Sequence, residues 1–405
     1  MDQYSNVATV SWFTRIKESI KSVVIGLVLF LVSFPLLWWN EGRAVQTARS
    51  LDEGAGAVVS VAADKIDASN DGKLVHLSGL AQTADVLKDA DFGIEQQAIK
   101  LTRSVEMYQW VEKKKTEKKK KTGGSEKQKT TYRYEKQWSS SHHDSSDFEH
   151  EKGHQNPALA YEERSSVAQN VSVGAFTLPP EMVSAIPGRS ALPITEASLA
   201  KLTPALEDKT KVSDGAFHVR PSAGSADFDV SQPEVGDHRI RFWVVPAAPV
   251  TIVAAQKGSS LGAYQTKAGD PLMIIKAGTV SAAEVFETAQ DENRMLTWIL
   301  RGVGFLMMLI GAALIFRPLV VLADVIPLLG SLLSLGTFLI ALAIAIPLSS
   351  LTIGIAWVAV RPLIGIPLLV GAVGILVLAI ILGRKRLLSK RAKAAPAAPA
   401  PAPPP

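Results

Sequence analysis

Four long apolar segments, one before and three after the polar stretch of residues 40–294, constrain this chain more than any other feature. The first is residues 22–39, SVVIGLVLFLVSFPLLWW, with no charge in it. The other three fall within residues 296–382. A helix needs about 20 apolar residues to cross the hydrocarbon core. Backbone groups find no water there, so helices are the natural spanning element. The expectation is an α+β membrane protein: four transmembrane helices, one N-terminal and three C-terminal, flanking a large β-rich extramembrane domain.

The spans are placed at 22–39, 296–316, 335–358 and 363–382. Residues 318–333, PLVVLADVIPLLGSLL, are apolar but short, broken by Pro327 and Gly330, and carry Asp324. They read as a re-entrant or interfacial segment. Residues 384–405 form a basic, then Ala/Pro-rich tail of disordered, PPII-like character.

Charge sets the expected orientation. Arg15, Lys17 and Lys21 precede the first span; Arg384, Lys385, Arg386, Lys390, Arg391 and Lys393 follow the last. Short basic flanks favour the cytoplasm, so residues 1–21 and the tail are expected inside, with 40–294 periplasmic or lumenal. The first span ends in Trp38-Trp39-Asn40 rather than a small-residue cleavage site, which favours an uncleaved anchor. The chain has no cysteine, which excludes disulfides, thiolate catalysis and cysteine-ligated metals.

The central region reads mainly as strand. Residues 99–113 place Ile99, Leu101, Val105 and Met107 on one face, and 131–138 alternate Tyr132, Tyr134 and Trp138. The polar stretch between them, with Gly123-Gly124, reads as a hairpin tip. Further strands are expected at 75–80, 167–177, 239–245, 250–255 and 272–276, with a helix-and-turn interlude at 181–211. Ser281 and Glu284 match a capping box, opening a helix that continues toward the second span. The lysine run at 113–121 reads as a solvated tip, although it could attract anionic lipid heads or a polyanion.

Ionisable residues inside an apolar block are candidate sites because they are costly there. The candidates are Asp324, Arg317, Arg301 and Arg361. Snorkelling to headgroups accounts for the arginines. Asp324 is too short for that and is expected to pair with an arginine at the cytoplasmic interface. Trp298 and Trp357 fall where aromatic belts sit. His150-Glu151-Lys152-Gly153-His154 matches the zinc-protease H-E-x-x-H pattern, but the turn-like residues before it, Gly153 and Pro157 oppose the helix that this chemistry needs. No metal or cofactor is expected.

Several stretches carry a family resemblance: Asn40-Glu41-Gly42-Arg43-Ala44, Val105-Glu106-Met107-Tyr108-Gln109-Trp110, Gly153-His154-Gln155-Asn156-Pro157, Pro233-Glu234-Val235-Gly236-Asp237, Thr266-Lys267-Ala268-Gly269-Asp270, Ala283-Glu284-Val285-Phe286 and Arg361-Pro362-Leu363. In this order they resemble the LUMA family, also called the transmembrane-43 family. The residues most marked by the match are Asn40, Glu41, Gly42, Arg43, Trp110, His154, Asn156, Pro157, Gly236 and Asp237. His154 then belongs to a G-H-x-N-P stretch, and His150 and Glu151 are incidental.

The resemblance implies a four-span architecture with a lumenal or periplasmic domain and brings no catalytic residues. It implies a role in organising the nuclear envelope in animals, at the inner nuclear membrane and endoplasmic reticulum. The composition has a bacterial look, and in a bacterium the inner membrane would be the site and nuclear partners would not carry over. The expected function is a non-catalytic scaffold that organises a membrane or envelope complex. The alternative is a lipid-acting enzyme or lipid carrier using the C-terminal helix bundle. Expected partners are the lipid bilayer and other membrane or envelope proteins, with a homo-oligomer left open and no nucleic acid.

Overall fold

The computed structural model describes residues 2–222, 226–363, 365–367 and 370. It divides into two compact units. The β unit comprises Met1–Arg15, Gln46–Arg294 and Asp324–Pro327; the helical unit comprises Ile16–Val45, Met295–Ala323 and the chain from Leu328 onward.

The β unit is built on two sheets. The first uses β1 (Asp2–Val10), β3 (Lys100–Lys120), β4 (Glu126–Ser139), β5 (Thr210–Ser213), β6 (Ala216–Val219) and β7 (His238–Val245), in the order β1-β4-β3-β7-β6-β5. The second is centred on β2 (Leu74–Thr83) and β8 (Ala248–Lys257), with β9 (Ile274–Ala277) on the far side of β8. The two sheets share one apolar core. Val75, Leu77, Val250 and Ile252 meet Leu101, Val105, Phe217, Ile240 and Phe242 in it. The period-two pattern of β3 produces this: its alternate residues Leu101, Val105 and Met107 are buried. Phe92 stacks on Phe217 at 5.6 Å and meets Phe242 edge-on, adding ring contacts to the burial.

The β3–β4 hairpin is longer than its alternating segments suggest, running to Lys120 and resuming at Glu126. Gly123 and Gly124 take φ of +87° and +76° in the turn, which suits residues without a Cβ. Residues 2–10, expected in a cytoplasmic tail, instead form β1 and pair antiparallel with β4 from Asp2↔Tyr134 to Val10↔Glu126. The paired residues are far apart in sequence, so the pairing leaves no local signature.

Three helices among the described residues are long and apolar enough to cross a membrane: α1 (Trp12–Ala57), α2 (Ala282–Ala323) and α3 (Pro327–Val360), the last counted from Leu328. The expected fourth span, 363–382, falls almost wholly outside the described residues, as does the tail at 384–405. The expected re-entrant segment is not a separate element. Pro318–Ala323 continues α2, Pro327 opens α3, and only a turn at residues 324–326 divides them. Pro318 stays inside α2, as prolines can in apolar surroundings where neighbouring groups satisfy the freed carbonyl. Ser11 caps α1, its Oγ accepting from Thr14 N at 3.2 Å. Glu284 N donates to Ser281 Oγ at the start of α2, where the capping-box pattern places the helix start.

Within the helical unit, small residues let backbones approach. A Cβ on Gly311 would stand 2.7 Å from Gly26 O and 2.7 Å from Phe30 N. One on Gly304 would collide with Leu37. Gly302 faces open space.

Candidate functional site

The helical unit holds a buried polar cluster at the upper end of its α1 segment. Glu41, 2% exposed, accepts from Arg301 Nε at 2.6 Å and Nη2 at 2.7 Å, and from Trp357 Nε1 at 2.6 Å. Arg301 also lies over the rings of Trp298 and Trp357, at 4.7 and 5.5 Å. A planar guanidinium suits both the paired oxygens and the aromatic faces. Asn40, the residue before Glu41, adds a bond to the same helix, its Nδ2 donating to Thr297 O at 3.1 Å. Arg43 Nη2 donates to Thr297 Oγ1 at 3.1 Å, and Gly42 leaves an open surface beside them. The Asn-Glu-Gly-Arg stretch therefore joins α1, α2 and α3 through side chains. Arg301, expected to reach for headgroups, turns inward because Glu41 offers a charge-matched fork. Arg317 donates to Ser22 Oγ at 2.8 Å, and Arg361 is exposed just past the end of α3.

In the β unit, Asp324 is fully buried and receives two cations. Arg15 Nη2 bonds one oxygen, and Lys120 Nζ, 2.7 Å away, bonds the other. Arg15 also donates to Gly124 O at 2.5 Å and lies 3.7 Å from Glu126. Gly123 N donates to Val325 O at 2.9 Å. The hairpin tip is thereby pinned to the turn between α2 and α3. Asp324 is thus paired with Arg15 and with Lys120, a lysine that the sequence did not indicate.

The remaining motif residues close the β unit. His154 stacks on Tyr134 at 3.9 Å and meets Trp110 edge-on at 4.8 Å. Its Nδ1 donates to His150 O at 2.8 Å, and its Nε2 lies 3.2 Å from the Asp2 carboxylate. Asn156 brackets Trp110: its Oδ1 accepts from Trp110 N at 2.8 Å and its Nδ2 donates to Trp110 O at 2.9 Å. Pro157 then packs beneath Gly236, whose φ of +99° and missing Cβ allow the approach. Asp237 is held at both oxygens by Arg220, at 2.9 and 2.8 Å. Asp270 accepts from Gln46 and Thr47, and Glu53 accepts from Lys267 N and Ala268 N, so the Thr-Lys-Ala-Gly-Asp loop grips the end of α1.

Burial holds two histidines in their neutral form. His238 is pushed below the ordinary imidazole range by desolvation. His218 moves the same way, first by desolvation and then by Arg239 and Arg241 nearby. Tyr134 is raised above the ordinary phenol range by burial, then by its bond to Glu112. A cleft of about 640 Å³ lies beside Arg103, lined also by Asp91, Tyr161, Glu162 and Lys209. Arg103 is committed there to Asp89 and Asp91.

The family model described as Transmembrane protein 43 matches residues 107–362. Transmembrane protein 43 of Mus musculus is 36% identical over 334 residues, covering 80% of each chain. The chain belongs to the transmembrane protein 43 family. Transmembrane protein 43 of Homo sapiens is 35% identical over the same length and coverage. The Drosophila melanogaster homolog is 30% identical over 314 residues, covering 76% of this chain and 80% of its own. No solved structure matches this family member. The resemblance read from the motif stretches is thus shown, and the protein is an integral, multi-pass membrane protein with a large β-rich domain.

Proposed function

We propose that this transmembrane protein 43 family member is a membrane scaffold, organising a membrane or envelope complex through its β unit. One observation carries the reading. Buried polar side chains in several of the motif stretches are engaged in bonds that fix one element to another. Glu41 ties α1 to α2 and α3, Asn156 and Asp237 brace the edge of the first sheet, and Asp270 holds the end of α1. Such residues build a rigid frame. Asp324 motivated the alternative of a lipid-acting enzyme or carrier, and its two oxygens are matched by Arg15 and Lys120.

Cross-linking mass spectrometry in native membranes tests the proposal. The expected result is a stoichiometric protein partner bound to lysines of the β unit, and loss of that partner's large assembly from native gels when this chain is removed. A chain that migrates alone and retains one chemically altered lipid overturns the scaffold reading.

A further inference from the structure

A second cleft of the β unit, of about 290 Å³, lies on the outer face of the first sheet. Its floor is one row across three strands. Trp243 of β7 stands opposite Thr102 of β3, and Thr102 stands opposite Ser165 of the short strand Arg164–Val167. Partners in a ladder share a face. The flanking residues Leu101 and Phe242 belong to the core, so this row points away from it. Lys100, two residues before Thr102, lies on the same face, and Glu163 and Arg189 close the sides.

The polar groups of this cleft are unbalanced. Arg189 lies over the Trp243 ring, 3.9 Å from its centre. Stacking holds a guanidinium by its face and leaves its N–H edge free to donate. Among the described residues the side chains of Lys100, Glu163 and Arg189 make no hydrogen bond or ion pair. The indole N–H of Trp243 is buried with no acceptor among them. Thr102 and Ser165 bond each other through their hydroxyls at 3.2 Å, which uses one hydrogen and leaves the other to donate. Donors thus outnumber acceptors, and two cations against one carboxylate leave one net positive charge. Farther along β7 the cations are satisfied: Arg239 and Arg241 both bond Glu106.

We propose that this cleft binds a small organic monocarboxylate. Arg189 and Lys100 would take its carboxylate, the fork of Arg189 matching two oxygens. Its short carbon chain would lie against Trp243 and Val245, the apolar part of the lining. A few placed polar groups on an apolar wall are the usual make-up of a small-molecule site. The inference does not rest on the scaffold reading.

The test uses the full chain in detergent, with butyrate as the probe and ligand-observed saturation-transfer NMR as the readout. Butyrate should bind, butylamine of the same length should not, and inorganic phosphate should bind more weakly than butyrate. Arg189→Gln should weaken butyrate binding about fivefold, and Lys100→Gln should act in the same direction. Glu163→Gln should tighten binding about threefold, because it removes the carboxylate that competes for the same cations. Arg189 and Glu163 are exposed, so their variants should melt as the parent does. No butyrate binding, or binding unchanged by Arg189→Gln, overturns the proposal. So does weaker binding in Glu163→Gln, or phosphate held as tightly as butyrate, since the site would then not be reading a monocarboxylate.

Discussion

Glu41 gives both carboxylate oxygens to Arg301, at 2.6 and 2.7 Å, across a sequence separation of 260 residues. A buried pair of this kind is costly to break singly, because the survivor is left charged without a partner. Glu41→Gln should therefore destabilise the protein by about 3 kcal/mol. Replacing both residues, as Glu41→Leu with Arg301→Met, should cost less than either single change predicts. Thermal unfolding in detergent checks this, and a strictly additive double variant would show that the two residues are not coupled.

Asp324→Asn removes the one carboxylate between Arg15 and Lys120. The hairpin tip should then open more often, and trypsin should cut after Lys120 or Lys121 about tenfold faster than in the parent. Unchanged cleavage would mean that Gly123 and Val325 hold the tip without the charges.

The register of β1 on β4 sets Ser5 beside Thr131, with their hydroxyl oxygens 3.3 Å apart. The chain has no cysteine of its own, so introduced thiols report alone. Ser5→Cys with Thr131→Cys should form a disulfide on mild oxidation, and Ser5→Cys with Lys127→Cys should not. Cross-linking of the second pair in place of the first would show that the register has slipped.

His218 and His238 are held neutral by burial, so their folded pKa values lie below the unfolded one. The unfolded chain then binds more protons as pH falls below about 6.5. Stability should be level above that pH and decline from it toward pH 5. Ordinary carboxylates titrate lower, near pH 4. Melting temperatures at pH 7.5 and 5.5 measure the decline, and a His218→Asn/His238→Gln variant should flatten it.

Much of the fold follows from local patterns in the sequence. Long apolar runs reveal α1 and the membrane course of α2 and α3. Period two reveals β3, β4 and β7, and Ser281 with Glu284 marks the start of α2. The missed features depend on distant partners. Asp2–Val10 is polar enough to read as a tail until β4 supplies its hydrogen bonds. Apolar length alone does not divide residues 318–333, because Pro318 continues a helix while the turn at Asp324 ends one. For the sites, charge inside an apolar block singled out Arg301 and Asp324. Nothing local singled out Glu41, Lys120 or Arg220 as the groups that neutralise Arg301, Asp324 and Asp237.

The amide of Asn156 occupies the N–H and C=O of Trp110 as a neighbouring strand would. It stands one step beyond the last β7-side bonds, where Tyr108 meets Gly236 and Asp237. A single side chain thus finishes a ladder that the backbone leaves incomplete. A foreign strand seeking that edge finds its first position filled, and from Lys113 to Lys120 it would meet a run rich in lysine. Two copies of this protein cannot readily fuse their sheets along that line, so self-association would have to use another surface, such as the apolar sides of the helices.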